Sequence, residues 1–188
     1  MCVKTMVLKI LKLPSYFFKF FLAFLRPRCY TCTKGRCENM TSVFDVANWF
    51  LSKQSMTHKK VQKMCYYAQA WHCALIGKPL FNEEIQAWVH GPVIPKLYPK
   101  FADYGWNEIS ITNFEEPQFD DNALKVLEAV YETYGGFSGD QLESLTHSED
   151  PWISARGSLK PWETCTTPIT ADSMKAYYWQ KYEGSQND

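Results

Sequence analysis

Residues 57–77 read THKKVQKMCYYAQAWHCALIG, and this stretch decides the fold. Apolar residues recur in it at the three- and four-residue spacing of one helix face. Thr57 is suited to cap the N-terminus, and Gly77 is suited to end the helix because glycine adopts left-handed backbone conformations readily. Further small and aromatic residues widen the apolar surface beyond a single stripe. We therefore predict a helix from the cap at Thr57 to Ile76, central to the core.

The segments around this helix predict a mainly α fold, a compact multi-helix domain with a small β element. Residues 85–90 alternate in the manner of a short strand, which Gly91-Pro92 is expected to end. Pro99 sits awkwardly inside a helix predicted over 95–103. Caps and apolar spacing predict further helices at 41–52, 120–134, 138–147, from Asp150 as N-cap onward, and at 170–182, with a second short strand at 108–112.

The charge distribution divides the chain into two parts. Its length of 188 residues fits one domain with a short appendage. Residues 1–39 carry eight Lys or Arg against one Glu, whereas residues 40–188 carry twelve basic and nineteen acidic residues and all seven Trp. We therefore expect a basic, Phe-rich leader (1–39) and an acidic domain (40–188). An acidic domain is poorly suited to a phosphate backbone, so no nucleic acid is expected as a partner.

The leader allows several interpretations. Residues 6–25 are apolar but interrupted by three lysines on one helical face, which is typical of a segment lying on a membrane surface. A signal peptide fits less well, because no small-residue cleavage site follows. Alternatively, residues 35–37 can be encoded by codons that contain a bacterial ribosome-binding sequence. Translation would then begin at Met40 and the leader would not be made, which is the interpretation we favour.

The cysteines indicate a reduced, cytoplasmic protein. The chain has seven, an odd number, and only three fall in the acidic domain. The three at 29, 32 and 37 are one ligand short of a structural zinc site. Cys65 beside His72 and Cys73 offers a nucleophile with a nearby base, but the helical spacing favours buried core thiols.

Two short constellations could carry function. In Trp88-Val89-His90-Gly91-Pro92, strand periodicity puts Trp88 and His90 on one face, as a recognition surface or a metal ligand. The structural alternative is that Trp88 fills the core while His90 ties the turn with a hydrogen bond.

The second constellation is a helix end followed by a new helix start, with His147 four residues before Pro151-Trp152. The helix dipole would favour a protonated His147, which could equally cap the last carbonyls. The acidic pairs at 115–116 and 120–121 are expected to be solvated charges. Common catalytic motifs are absent from the sequence, so we predict no catalytic residues, no cofactor and no metal.

Read as whole phrases, the sequence closely resembles the Panacea domain, the antitoxin SocA-like family of bacteria and their prophages. The phrases that carry the resemblance, in order, are FDVANWFL (44–51), THKKVQKMCYYAQAWH (57–72), GKPLF (77–81), EIQAWVHGPVIPKLY (84–98), LTH (145–147) and PW (151–152). The resemblance covers residues 43 to roughly 160. Pro99 departs from the family pattern, in which a non-proline residue usually follows the Leu-Tyr pair.

The resemblance implies a non-enzymatic antitoxin that binds and neutralises a toxin protein encoded by an adjacent gene. One branch of the family instead delivers its toxin to a ClpXP-type protease as an adaptor. The family has no established catalytic residues to transfer. From the residues themselves, we expect the acidic surface to cover a basic patch on the toxin. The candidate partner-binding residues are Trp88, His90, Gly91, Pro92, His147, Pro151 and Trp152.

Two other functions remain alternatives. A hydrolase or metal-binding enzyme would use His90 and His147, which should then converge in a pocket with a carboxylate. A membrane-associated phage protein would be anchored by residues 6–25, and a membrane is expected as a partner only if residues 1–39 are translated.

Overall fold

The computed structural model describes residues 41–110 and 117–186, and the predictions made for the leader and for residues 115–116 lie outside them. The described part is mainly α with a minor β component, as predicted. In chain order its elements are α1 (Val43–Lys53), β1 (Met56–Thr57), α2 (His58–Ile76), β2 (Gln86–Trp88), β3 (Gly91–Val93), α3 (Tyr98–Phe101), a 3₁₀ turn (Ala102–Tyr104), β4 (Glu108–Ile109), α4 (Asp121–Tyr134), α5 (Gly139–Thr146), α6 (Asp150–Arg156) and α7 (Ala171–Gln186).

Helix α2 is the centre of the core, which confirms the prediction from its sequence. The Thr57 side chain accepts a hydrogen bond from the backbone N–H of Lys60, and Gly77 ends the helix at φ 83°. Every residue from 60 to 74 is buried. Helices α1, α4, α5 and α7 and strand β3 all pack against α2. A helix covered on so many sides needs apolar residues around most of its circumference, and this one has them.

The polar side chains of α2 hold the surrounding loops. The Gln69 amide accepts hydrogen bonds from the backbone N–H groups of Leu80 and Phe81 and donates to the Phe81 carbonyl at 2.9 Å. His72 Nδ1 lies 2.7 Å from the Lys78 carbonyl. These contacts satisfy backbone groups that burial would otherwise leave without partners. Helix α2 therefore positions loops as well as filling the core.

The predicted strand at residues 85–90 is one half of a hairpin. Strands β2 and β3 pair antiparallel, with Ala87 opposite Pro92 and Trp88 opposite Gly91. Gly91 and Pro92 thus begin strand β3. From the sequence we predicted only that this dipeptide ends strand β2. Pro92 is tolerated there because β3 pairs on one side only, with β2. A second small sheet joins β1 and β4.

Two helix predictions need correction. The helix expected over 95–103 is shortened to α3 and the 3₁₀ turn, and Pro99 lies in the first turn of α3, where a missing N–H breaks no helical bond. Helix α6 has Glu149 at its N-cap, so Asp150 is already the first helical residue. Pro151 lies in the first turn, as predicted.

The C-terminal helix α7 is joined to α2 through a buried carboxylate. Glu149, 1% exposed, accepts hydrogen bonds from the hydroxyls of Tyr178 (2.6 Å) and Tyr67 (3.2 Å). Lys181 supplies the balancing charge at 2.9 Å. Thr170 caps α7, as predicted, by accepting the N–H of Ser173. Among the helices of the described residues, none has the length and apolar character required to traverse a bilayer.

Candidate functional site

A cleft of about 710 Å³ opens beside the β2–β3 hairpin. Four parts of the chain line it, namely the first two turns of α2, the hairpin, the segment from α3 to Trp106 and residues 164–166. Trp88 and His90, both predicted as partner-binding residues, lie in its wall. The hairpin and its contacts therefore define the candidate site.

Close packing fixes the hairpin on α2. Gly91 has φ +89°, and a Cβ there would lie 2.8 Å from Thr146 Oγ1 and 2.9 Å from Lys63 Nζ, so only glycine fits. Lys63 Nζ donates to the Pro92 carbonyl at 3.0 Å. Gln62 Oε1 accepts the backbone N–H of Ile94 at 2.8 Å. Helix α2 thus sets the position of both ends of β3.

An ionic cluster joins the rim of the cleft to α5. Lys59 Nζ lies 2.8 Å from Asp140 Oδ1 and 2.7 Å from Glu143 Oε2, and His90 Nδ1 lies 2.9 Å from Glu143 Oε1. Burial opposes the ionisation of Glu143, but its hydrogen bonds with Lys59 and His90 outweigh burial and lower its pKa. The His90 side chain is 74% exposed and available to a partner.

The floor of the cleft contains buried nitrogen groups. Burial lowers the pKa of Lys63 to about 7; attraction from Glu143 opposes the shift and repulsion from Lys59 adds to it. Gln62 Nε2 and His58 Nδ1 are buried with no hydrogen-bond partner among the described residues. Burial, followed by repulsion from Lys63 and Lys59, lowers the pKa of His58. Buried polar atoms without hydrogen-bond partners are uncommon in folded proteins and mark this floor as unusual.

The second predicted constellation supports the hairpin from behind. The rings of His147 and Trp152 stack with centroids 4.0 Å apart, and Trp152 Nε1 donates to the Trp88 carbonyl at 3.0 Å. The expectation that the helix dipole would favour a protonated His147 is wrong, because burial lowers its pKa. Its Nε2 is buried without a partner among residues 41–110 and 117–186. His147 and Trp152 therefore act together as a packed pair.

Arg156 links the hairpin to the loop that follows α6. The residue is 5% exposed, and its guanidinium donates to the Ala87 carbonyl at 3.1 Å. It also donates to three loop carbonyls, those of Lys160 (2.9 Å), Pro161 (3.3 Å) and Glu163 (2.7 Å). Its charge lies 5.0 Å from the Trp152 ring. The buried guanidinium of Arg156 thus joins the hairpin to the loop at residues 160–163.

The candidate partner-binding residues fall into two groups. His90 is exposed, and Trp88 and His147 are half-buried, so these three can touch a partner. The other four residues are buried, so they can support the surface but offer little area to a partner. They are Gly91, Pro92, Pro151 and Trp152. That any of the seven binds a partner stays a prediction.

The structure also places the other residues that the sequence suggested. Cys65 and Cys73 are buried free thiols, as the helical spacing favoured, and burial raises the pKa of Cys73 to about 11. His90 and Glu143 are in contact, but His147 is not among the residues that line the cleft. Within the described ranges, no group of three or more His, Cys, Asp or Glu side chains is arranged to hold a metal ion. Asp120 caps α4 rather than being a purely solvated charge.

Sequence reasoning missed the buried polar residues on which this site depends. These are Gln62 and Lys63 in the floor, Glu143 at the rim and Arg156 behind the hairpin. A signal was present in the phrase KVQKM (60–64), where polar residues interrupt a helix whose apolar surface already extends beyond one stripe. Polar residues at such positions must find partners when the helix is buried.

Comparison with known proteins shows which family this domain resembles. Residues 61–153, from α2 into α6 and including the hairpin, match the family described as Antitoxin SocA-like, Panacea domain. These residues are therefore similar to a Panacea domain, as the sequence phrases predicted. The chain is also similar to Antitoxin SocA of Caulobacter vibrioides (strain NA1000 / CB15N), with 29% identity over 124 residues. That match covers 57% of this chain and 66% of the relative, just under two thirds of the relative's length. No solved structure matches the chain.

Proposed function

We propose that this protein is a non-enzymatic antitoxin that neutralises a cognate toxin, encoded by an adjacent gene, through direct protein binding. The observation that carries the proposal is the match of residues 61–153 to an antitoxin family. The relative that shares 29% identity is itself named an antitoxin. Because the match spans only 66% of that relative, the activity of the whole relative is extended to this chain as a proposal.

The geometry supports binding through the hairpin and the cleft beside it. The His90 side chain at the hairpin turn is 74% exposed, and Trp106, 80% exposed, also lines the cleft. Exposed aromatic side chains provide large contact areas with little loss of conformational entropy, and they are enriched at protein interfaces. We place the toxin contact on this face, with the four buried candidate residues holding its shape.

The acidic charge of the domain favours a toxin with a basic surface. Residues 40–188 carry a clear excess of Asp and Glu, which would steer and hold a positively charged partner. Not every acidic residue is free for this role. Glu83 accepts hydrogen bonds from the backbone N–H of Val43 and from Lys96 within the domain. We therefore assign the electrostatic contact to exposed residues such as Glu84 and Asp121.

Neutralisation follows one of two routes, occlusion of the toxin or its delivery to a ClpXP-type protease. Both take place in the cytoplasm, which agrees with the three free thiols of the described domain, at Cys65, Cys73 and Cys165. Occlusion leaves the amount of toxin unchanged, whereas delivery lowers it.

Co-expression tests the proposal directly. The neighbouring open reading frame is expressed in bacteria with and without the full chain, growth is recorded, and the two proteins are co-purified. We expect toxicity that the chain relieves, together with a stable complex. Toxin abundance in strains with and without the protease then separates occlusion from degradation. A harmless neighbour, or a toxic one that the chain neither binds nor relieves, would contradict the proposed function.

A further inference from the structure

The cleft beside the hairpin differs in charge from the acidic domain around it. Its lining includes Lys59 and Lys63 and the imidazoles of His58 and His90, and no Asp or Glu is among the described residues that line it. The carboxylates of Glu143 and Asp140 lie outside this lining, where both bind Lys59 and Glu143 also binds His90. A group entering the cleft therefore meets cations and N–H donors from the protein.

The floor of the cleft contains a donor held in a fixed orientation without an acceptor. The Oε1 atom of Gln62 accepts the Ile94 N–H at 2.8 Å, and the Nε2 group is buried without a partner in the part of the chain that the structure describes. Beside it, Lys63 gives one N–H to the Pro92 carbonyl and has a further N–H donor available. Buried donors in this state favour a ligand that supplies acceptor oxygens.

The walls of the cleft are aromatic and apolar. The rings of Trp88 and Tyr98 lie 5.2 Å apart, and the Lys59 ammonium lies 5.2 Å from the ring of the exposed Trp106. A volume of about 710 Å³ accommodates several side chains of a peptide. The lining thus favours a ligand in which a negatively charged group lies next to apolar or aromatic groups.

We propose that the cleft receives an acidic peptide segment of the toxin, with an Asp or Glu carboxylate against Gln62 and Lys63 and a neighbouring aromatic side chain against Trp106. The identity of the partner rests on the proposed antitoxin function. The chemistry of the site rests on the cleft alone. The acidic exterior and this locally basic cleft would then contact different parts of one toxin.

Two peptides that differ in one group test the chemistry. The peptides Ac-Phe-Glu-Phe-NH₂ and Ac-Phe-Gln-Phe-NH₂ are titrated into the full chain and followed by tryptophan fluorescence and calorimetry. We expect the acidic peptide to bind about tenfold more tightly or better, because a carboxylate forms charge-assisted hydrogen bonds that an amide does not. Equal affinities, or no binding of either peptide, would overturn the proposal. ATP is also tested as a competitor of the acidic peptide. If ATP prevents binding of the peptide and itself binds more tightly, the cleft is a nucleotide site and the proposal is overturned.

Three variants locate the binding. Gln62→Glu keeps an acceptor for the Ile94 N–H but replaces the unpartnered donor with a repelling oxygen, so the preference for the acidic peptide should disappear. Trp106→Ala removes an exposed wall and should weaken both peptides. Trp162→Ala is the matched control, since Trp162 is 71% exposed and does not line the cleft. Circular dichroism and thermal unfolding establish that each variant is folded, and equal binding by the Trp106 and Trp162 variants would refute the location.

Co-expression with the neighbouring toxin separates this inference from the proposed function. If the unaltered chain neutralises the toxin and the Gln62→Glu and Trp106→Ala variants do so equally well, the cleft is not the toxin site and the inference fails alone. If both variants lose neutralisation while Trp162→Ala retains it, the inference is supported. If the unaltered chain does not neutralise the toxin, the proposed function fails, and the peptide titration still decides the chemistry of the cleft.

Discussion

Replacing Lys63 with methionine should make this protein more stable near neutral pH and remove that advantage in alkali. Lys63 is 1% exposed, and burial lowers its pKa from 10.5 to about 7. Between these two values the unfolded chain holds a proton that the folded chain releases. Folding must therefore remove a proton in this range, which costs free energy. The free energy of unfolding rises with pH, because this cost becomes smaller as the pH approaches 10.5.

The size of the effect follows from the two pKa values. At pH 7 the buried lysine lowers the free energy of unfolding by roughly 4 kcal/mol, and at pH 9.5 by roughly 1 kcal/mol. Lys63→Met removes this penalty but leaves the Pro92 carbonyl without its donor, at a cost of about 1–3 kcal/mol. The variant should thus be more stable by about 1–3 kcal/mol at pH 7, and equal to or less stable than the unaltered protein at pH 9.5.

Urea unfolding followed by tryptophan fluorescence measures this crossover. The unaltered chain, Lys63→Met and Lys100→Met are compared at pH 7, 8 and 9.5 in a reducing buffer, because the described cysteines are free thiols. Lys100 is exposed and controls for the loss of one positive charge. A difference between the unaltered chain and Lys63→Met that stays constant from pH 7 to 9.5 would refute the argument that the buried ammonium is destabilised.

Three further perturbations have defined outcomes. Gly91→Ala should cost about 2–4 kcal/mol by thermal unfolding, because strain at positive φ adds to the close contacts of the new Cβ. Gly105→Ala, which has open space around the new Cβ, should cost about 1 kcal/mol. Equal losses in the two variants would show that the contacts at Gly91 do not matter. Glu149→Gln should cost about 2–4 kcal/mol, since it breaks the ion pair between this buried carboxylate and the half-buried Lys181, and an unchanged melting temperature would contradict this. Charge reversal at Glu84 and Asp121 should weaken toxin binding more at low than at high salt, and a salt-independent affinity would argue against electrostatic attraction.

The helices were predictable because their boundaries depend on local chemistry. Thr57 and Gly77 bracket α2 as the sequence indicates, and Ser138 forms the capping box expected at the start of α5. The pairing of β3 with β2 was not predictable, since a Gly-Pro dipeptide is typical of a turn. Its course as a strand depends on contacts with α2 and α5 that are distant in the sequence.

The chemistry of the candidate site could be predicted only in part. The sequence singled out Trp88 and His90, which line the cleft, because an aromatic residue and an imidazole beside a Gly-Pro turn stand out locally. The burial of Lys63 was not visible, since a lysine on an amphipathic pattern is expected to face solvent until the packing of every neighbouring element is known. The lowered pKa of His147 was missed for a related reason, because the burial that outweighs the helix dipole arises only in the folded chain.

The bonds of Arg156 have a consequence for how this domain could be altered. The guanidinium holds the 160–163 loop by its backbone carbonyls, and carbonyl groups are present whatever side chains the loop carries. The path of the loop is thereby largely independent of its sequence. A library randomised at solvent-facing loop positions, such as Leu159 and Trp162, should retain the fold while presenting a different surface. The domain thus has a place at which its exposed surface can be changed without rebuilding its core.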